Sequence, residues 1–477
     1  MKNNDYLVVD LGTTSIKVLA FNGQGTLLCR VAMPNKTMHP KPGWVQQDPD
    51  HWWEMTVRGI KECVAALGHN NFAAISFSGQ MSAPVFLDKN GQVLYPSILV
   101  ADVRNGEQSK RLNESLGYKF AALTGNRPIE AFIVSKLLWF KENHPELYER
   151  LYVFLLPKDY IRFRLTGRLC TDPTDASNTL VYRYNSLKWD ENMISDCGLR
   201  PDIFPKLEQS ASICGGVTSE AFSIINIPEG TPVAVGAADM ACSQIGSGAV
   251  EDGCLAITLS TSVQLVSAVK SAEGNAALTY HQRADGGLYQ MASIFSGGAG
   301  TDFVYRLIYG KETLSSEDYL SMEREINLSC PSSLIFLPFL TGSGSPYFKS
   351  SDRAAWFGLS MATTRSEMMQ AAFEGIGYNI RENAKIMSFK KIVLGGGGSR
   401  MKCWPPLLAN ILGRDVSMLE NPDASGLGAL IIGIAALNGG RFSDSLVRVS
   451  KIVKSNPELA AQYDVLYKRY LELYAAF

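Results

Sequence analysis

The residues best suited to chemistry fall in five short constellations. Asp10-Leu11-Gly12-Thr13-Thr14 lies between two β-rich runs. Glycine lets a phosphate approach the backbone, hydroxyls and exposed N–H groups add donors, and a carboxylate beside a phosphate serves Mg²⁺, usually through water. The same residues also suit an ordinary hairpin turn. Ser260-Thr261-Ser262 occupies a matching turn in the second half, and two such hairpins facing each other would clamp a polyphosphate from both sides. Gly395–Gly398 follows a strand and precedes a helix, leaving room for a ligand against the backbone or for a tight packing turn. Asp239 ends an apolar strand among Ala237, Ala238 and Met240. A strand's carboxyl end is where α/β proteins bind ligands, and a general base needs that setting, although Asp239 also fits a helix N-cap. Gln80-Met81-Ser82 with Asp102 and Arg104 offers amide, backbone and charged groups for sugar hydroxyls, the alternative for Asp102 and Arg104 being a solvated surface pair. Trp44, Trp52 and Trp53 could stack on a sugar but read more readily as core.

The elements that must carry these groups follow from pattern. Tyr6–Asp10, Ile16–Phe21 and Thr26–Ala32 read as a three-strand meander. A helix is expected over Asp50–Leu67 and a strand over Ala73–Phe77. Residues Gly106–Arg168 read as mostly helical, with helices at Glu130–Asn143 and Pro157–Leu165. Asp172–Asn178 reads as a polar turn and Pro232–Ala238 as one strand. The opening pattern then restarts: Gly253–Leu259, a small polar turn, and Val263–Val269. Lys390–Leu394 leads into the glycines and a helix containing Trp404. Ser425-Gly426-Leu427-Gly428 precedes a last core helix. This is an internal duplication, with domains expected at 1–244 and 245–477.

Bulk properties exclude several classes. A chain of 477 residues exceeds what one core usually supports. Lys plus Arg is 45 and Asp plus Glu 46, so the charge carries no footprint for nucleic acid or an anionic membrane. The opening segment carries no secretory pattern, and no apolar run approaches the ~18 residues of a membrane span. Nine cysteines without any C-x-x-C pair read as reduced core thiols of a cytoplasmic protein. The five histidines are scattered, so structural zinc is not expected. Neither G-x-G-x-x-G nor G-x-x-x-x-G-K-[ST] occurs.

Taken together, the chain resembles the FGGY carbohydrate kinases, and within them the xylulokinase branch. The resemblance rests on DLGTTSIKV at Asp10–Val18, GWVQQDPDHWW at Gly43–Trp53, SGQM at Ser78–Met81 and PKDYIRFRLTG at Pro157–Gly167. It continues through TDPTDASNT at Thr171–Thr179, AAD at Ala237–Asp239, FLPFLTGSGSP at Phe336–Pro346 and GGGGSRMKCW at Gly395–Trp404. It implies an α/β protein of two duplicated, RNase H-like (actin-like ATPase) domains with a cleft between them, the first binding sugar and the second ATP. It implies Asp239 as catalytic base and metal neighbour, and Asp10 as the carboxylate on the Mg²⁺ and phosphate side. Gly12, Thr13, Thr14, Lys17, Ser260, Thr261, Gly298, Gly397 and Gly398 fall on the ATP side. Gln80, Met81, Ser82, Asp102, Arg104 and Asp239 fall on the substrate side.

The departures concern the sugar. That branch usually carries Gln-Met-His-Gly where this chain has Gln80-Met81-Ser82-Ala83, and Asn where it has Met240. A Trp-Asn-Asp stretch appears as Val100-Ala101-Asp102. A charged Ser-Gly-Glu-Arg-Thr-Pro loop appears as Thr341-Gly342-Ser343-Gly344-Ser345-Pro346, and the Gly-Thr-Ser turn as Ser260-Thr261-Ser262. Losing hydroxyl donors loosens or changes discrimination. The expectation is therefore Mg-ATP-dependent phosphorylation of a small sugar or polyol, a ketopentose such as D-xylulose leading. Ribulose, gluconate and glycerol-like polyols are alternatives, as is a catalytically weak ATP- or sugar-binding sensor. No nucleic-acid or membrane partner is expected, and assembly as a homodimer is left open.

Overall fold

A computed structural model describes residues 4–443 and 445–476. Residues 1–3, the head of the segment read as lacking a secretory pattern, lie outside these, as do the outermost residues of the two expected domains. Two seven-stranded mixed sheets organise the chain. In the first, strand Asp5–Leu11 pairs antiparallel with Ser15–Asn22 and parallel with Ala74–Gly79. Leu27–Pro34 continues one edge, and Pro232–Ala234 and Ile213–Gly216 the other. In the second, Cys254–Leu259 pairs antiparallel with Val263–Val269 and parallel with Lys391–Gly395. Leu288–Ile294 and Thr279–Gln282 extend one edge, Val416–Leu419 and Val449–Val453 the other. The central strands Asp5–Leu11 and Cys254–Leu259 are almost wholly buried, as β-rich runs covered on both faces must be. The same strand, turn, strand, parallel-strand order occurs twice, which is the duplicated RNase H-like architecture.

Helix Pro49–Leu67 begins where Asp48 accepts from the Asp50 N–H and ends at Gly68, in the left-handed region. It buries Trp52 and Trp53 against the first sheet, so both tryptophans are core. Helices Gly106–Thr124 and Ile133–Asn143 form a separate layer with its own apolar cluster.

Two sequence expectations change. The run Pro232–Ala238 is two strands, Pro232–Ala234 and Ala237–Ala238. Gly236 breaks it with φ +79°, and a Cβ there would lie 2.6 Å from the Phe77 carbonyl oxygen. The supposed polar turn at Asp172–Asn178 is helix Pro173–Ala176 followed by a 3₁₀ turn, Ser177–Thr179, all buried. Its polarity is consumed internally. Lys158, fully buried, lies 2.6 Å from Asp159, 2.8 Å from Asp172 and 2.9 Å from Asp175. A strand, Val153–Leu155, also interrupts the region read as mostly helical.

The halves meet through two helices. Helix Ala424–Leu437 packs against helix Asp239–Gly246 and buries Leu427, Leu430 and Ile431 with Tyr6, Val8 and Leu19 of the first sheet. Glycines permit the approach: a Cβ on Gly428 would lie 1.8 Å from the Cys242 carbonyl oxygen, and one on Gly246 2.0 Å from that of Ala424.

Candidate active site

Both small-residue turns emerge at corresponding sheet ends, with Thr13, Thr14, Ser260 and Thr261 exposed. The first is closed by Gly12 N–H bonds to the Asp10 and Ser15 carbonyls. Its Thr13 hydroxyl donates to Gln80 Oε1 at 3.0 Å, tying it to the Gln80-Met81-Ser82 segment. Gln47 braces both: its Nε2 donates to the Thr13 carbonyl at 2.7 Å, and its Oε1 accepts from Gln80 and Trp52. The second turn is stitched to a glycine stretch, because Gly298 N–H donates to the Ser260 carbonyl at 2.7 Å and Ala299 N–H to that of Thr261. The third glycine element sits beside them. Gly396, at φ +83°, has the Leu259 carbonyl oxygen 2.3 Å from where a Cβ would be, while a Cβ on Gly397 would face open space. Thus Gly12, Thr13, Thr14, Ser260, Thr261, Gly298, Gly397 and Gly398 fall in two groups at the ends of the two central strand pairs.

Asp10 is almost completely buried and bonded to Lys17 at 3.0 Å. Lys17 also reaches Asp423 at 3.2 Å, and the Ser425 hydroxyl donates to Asp10 at 2.9 Å. Burial opposes ionisation of Asp10, but Lys17 and hydrogen bonds from Ser78, Lys17 and Ser425 outweigh it and hold the carboxyl below its ordinary range. The same two carboxylates hold the Lys17 ammonium well above its ordinary value despite burial. Asp423 and Ser425 were not legible as site residues, since they lie over 400 positions from their partners. The one signal was the small-residue run Ser425–Gly428, expected before a last core helix; it lies within helix Ala424–Leu437, and a further helix, Pro457–Ala476, follows.

Asp239 differs. It opens helix Asp239–Gly246, is partly exposed, and forms no ion pair among the described residues. Met240 N–H donates to its Oδ1 at 2.8 Å. The residue before it is pinned, since Ala238 N–H donates to Thr174 Oγ1 at 2.8 Å. Burial, then the nearby Asp10 charge, push its carboxyl up to about 7. A base of that pKa takes a proton readily near neutral pH. The N-cap alternative falls away, because Ala238 is the cap residue and Asp239 lies in the first turn.

Asp102 and Arg104, expected on the sugar side, are placed deeper than a surface pair would be. The side chains of Asp102 and Arg104 are 0% exposed and 2.7 Å apart. Arg104 lies over the rings of Trp44 and Trp139 and also donates to Gln46. The Val45 N–H donates to Asp102. Below them Lys136, fully buried, donates to the Ser82 carbonyl at 2.6 Å and the Leu99 carbonyl at 2.8 Å. Desolvation lowers Lys136 to about 7. Ser82 itself takes φ 63°, unusual for a residue with a Cβ. Lys136 escaped notice in the sequence because it sits mid-helix among apolar residues.

The sequence profile of the FGGY family of carbohydrate kinases, N-terminal domain, matches residues 5–246, and that of the C-terminal domain matches 253–437. The chain belongs to the FGGY carbohydrate kinases. It is 30% identical to a xylulose kinase of Staphylococcus epidermidis over 98% of this chain and 96% of that one. It is 29% identical to a xylulose kinase of Bacillus subtilis over the same shares. A gluconokinase of Bacillus licheniformis is 25% identical over 90% of this chain and 87% of its own length. Among solved structures, a xylulose kinase from Brucella ovis superposes with a TM-score of 0.89 at 28% identity, covering 99% of both chains. This FGGY protein is therefore a carbohydrate kinase of two-domain α/β fold. No helix among its described residues is long and apolar enough to cross a membrane.

Proposed function

We propose that the protein transfers the γ-phosphoryl group of ATP to a hydroxyl of a small sugar, a ketopentose such as D-xylulose being the leading substrate. The observation that carries this is Asp239, a carboxylate at the start of a helix raised to about 7 by burial and by the charge of the buried Asp10. Asp239 accepts the proton of the attacking hydroxyl, whose oxygen bonds to the γ-phosphorus as the bond to ADP breaks. Thr13, Thr14, Ser260 and Thr261, with the backbone amides around Gly12 and Gly298, hold the phosphate oxygens. Gly397 leaves space for the nucleoside, while Gly398 lets the turn pack against Leu259. Positioning and charge stabilisation do most of the work, as in phosphoryl transfer generally. Mg²⁺, arriving with the nucleotide, would be held at Asp10 through water and beside Asp239, where it supplies neutralisation of phosphate charge. The donor set fits that role. Asp10 and Asp239 are carboxylates near enough for the charge of one to raise the other, and oxygen donors of this kind are what Mg²⁺ takes.

On the sugar side, Gln80, Met81 and Ser82 make the contact surface. Asp102 and Arg104 hold the wall behind it, since their charges are already spent on each other. The likeness to xylulose kinases supports a ketopentose. The likeness to a gluconokinase, with Ser82 in place of an imidazole and Met240 in place of an amide, makes sugar acids and polyols the competing substrates. A coupled ADP-release assay across ketopentoses, polyols and sugar acids tests this. Turnover stimulated most by a ketopentose is expected. Sugar binding without ADP release would instead favour a sensor.

A further inference from the structure

Cys170 and Cys214 are 44 residues apart in sequence, yet their sulfurs lie 3.3 Å apart. Cys170 sits on strand Cys170–Thr171 and is 4% exposed. Cys214 sits on the edge strand Ile213–Gly216 and is partly exposed. A fully buried cation closes the site: Arg162 Nη2 lies 3.2 Å from the Cys170 sulfur and also donates to the Cys170 carbonyl. The same guanidinium is fixed by Asp159 at 2.8 Å and by the Val235 carbonyl at 2.6 Å. None of these residues belongs to the phosphate turns or to the sugar wall.

We propose that Cys170 and Cys214 form a reversible thiol-oxidation site whose oxidant is a small hydroperoxide such as hydrogen peroxide. The two sulfurs have divided roles. The Cys170 hydrogen bond and the Arg162 charge, working against burial, lower Cys214 to about 6, so the accessible sulfur is the thiolate. Cys170 is held up as the thiol by that same hydrogen bond and by burial. The Cys214 thiolate attacks a peroxide oxygen, the O–O bond breaks, and the leaving hydroxide takes up a proton to become water. Cys214 is then a sulfenic acid. The Cys170 sulfur attacks the Cys214 sulfur, the S–O bond breaks, and hydroxide leaves with the Cys170 proton as a second water. Two thiols are oxidised by two electrons and one peroxide is reduced to two waters. A small dithiol reverses the bond by exchange.

The other cysteines lack this arrangement. Cys63 is pushed up by burial and by its hydrogen bond to Cys29, so it stays a thiol. Cys330 is the exposed thiol and serves as an internal reference. The site is also linked to the reacting centre by hydrogen bonds. Asp172, two residues beyond Cys170, accepts from Thr174 Oγ1 at 2.6 Å, and that oxygen accepts the Ala238 N–H next to Asp239.

The test uses the reduced, full-length protein, titrated with hydrogen peroxide, capped under denaturing conditions and digested for mass spectrometry. A peptide joining Cys170 to Cys214 is expected to accumulate before Cys330 is modified. Free thiols should fall by two from nine, and dithiothreitol should restore them. Cys330 oxidising first, with Cys170 and Cys214 both still cappable, would overturn the proposal, as would Cys214 pairing with any other cysteine. In the Cys170→Ser variant, Cys214 should persist as a sulfenic acid trapped by dimedone ahead of Cys330. Absence of that adduct also overturns it. Both readouts are chemical, so they stand or fall independently of the sugar that the protein phosphorylates.

Discussion

Asp239 and Asp423 occupy matching places in the two halves. Each follows a strand lying beside the second parallel strand of its sheet, and each stands at the start of a helix. The two helices then pack on each other through Gly246 and Gly428. Their chemistry has diverged. Asp423 is held by Lys17, which it shares with Asp10. Asp239 has no such partner and is raised to about 7 by burial and by Asp10. A duplicated scaffold thus supplies two carboxylates at one junction, one paired with a lysine and one without a cation whose carboxyl is raised towards neutral pH.

Removing the free carboxylate gives the largest effect. Asp239→Asn should keep nucleotide binding and lower turnover by about 10²–10⁴, the usual contribution of a general base. Near-normal turnover would sink the assignment. In the unaltered protein, kcat/KM should fall as pH drops below about 7, as Asp239 becomes protonated. Stability moves oppositely. The folded carboxyl is raised above its ordinary 3.8, so the folded state holds the extra proton between 3.8 and about 7. Stability from that group is complete below the window and lost as pH rises through it. Asp239→Asn should therefore be more stable than the unaltered protein at pH 8, by about 1–2 kcal/mol after discounting for partial exposure. Denaturant midpoints at pH 5 and 8 measure the difference, and equal shifts at both would contradict the raised pKa.

The packed junction comes next. Gly428→Ala puts a methyl 1.8 Å from the Cys242 carbonyl oxygen, a backbone atom that cannot swing aside. A loss of about 2–3 kcal/mol is expected on urea unfolding, as for overpacking. A loss below half a kcal/mol would mean that the helices are not held this close. Lys17→Met follows at about 2 kcal/mol, since it leaves Asp10 almost buried without its cation while Lys17 itself retains 23% exposure. Asp10 is held below its ordinary value, so this penalty is present above pH 4 and fades as acid protonates it. An unchanged penalty at pH 3 would show that packing, not charge, is responsible.

How far the sequence reveals this junction follows from the range of each interaction. The paired strand-turn-strand units were legible because hairpins are local and β-rich runs are periodic. Asp10 and Asp239 were legible because each ends an apolar strand. Lys17 was legible only through family resemblance, and its second partner not at all. Asp423 lies 406 positions away and sits in a segment with no motif of its own. The buried Lys158 with its three aspartates misled in the other direction. Two aspartates and several hydroxyls within Asp172–Asn178 signal a turn, and only the fold reveals that Lys158, from the helix before it, pairs with both aspartates. Asp102 and Arg104 misled likewise, since a two-residue spacing of opposite charges says nothing about the two tryptophans that enclose them.

The smallest expected effect is the sharpest test of the asymmetry. Asp423→Asn removes the carboxylate that is 15% exposed, but it leaves Lys17 its stronger contact with Asp10. The Asn side-chain oxygen can still accept from Lys17 and Ser425. The loss should be no more than about 1 kcal/mol, typical of a pair that water still reaches. Turnover should stay within a few-fold, against the much larger loss at Asp239. If Asp423→Asn proved as damaging to turnover as Asp239→Asn, the two carboxylates would share the proton. Lys17 would then be a bridge within one acid–base unit, and not the group that sets them apart.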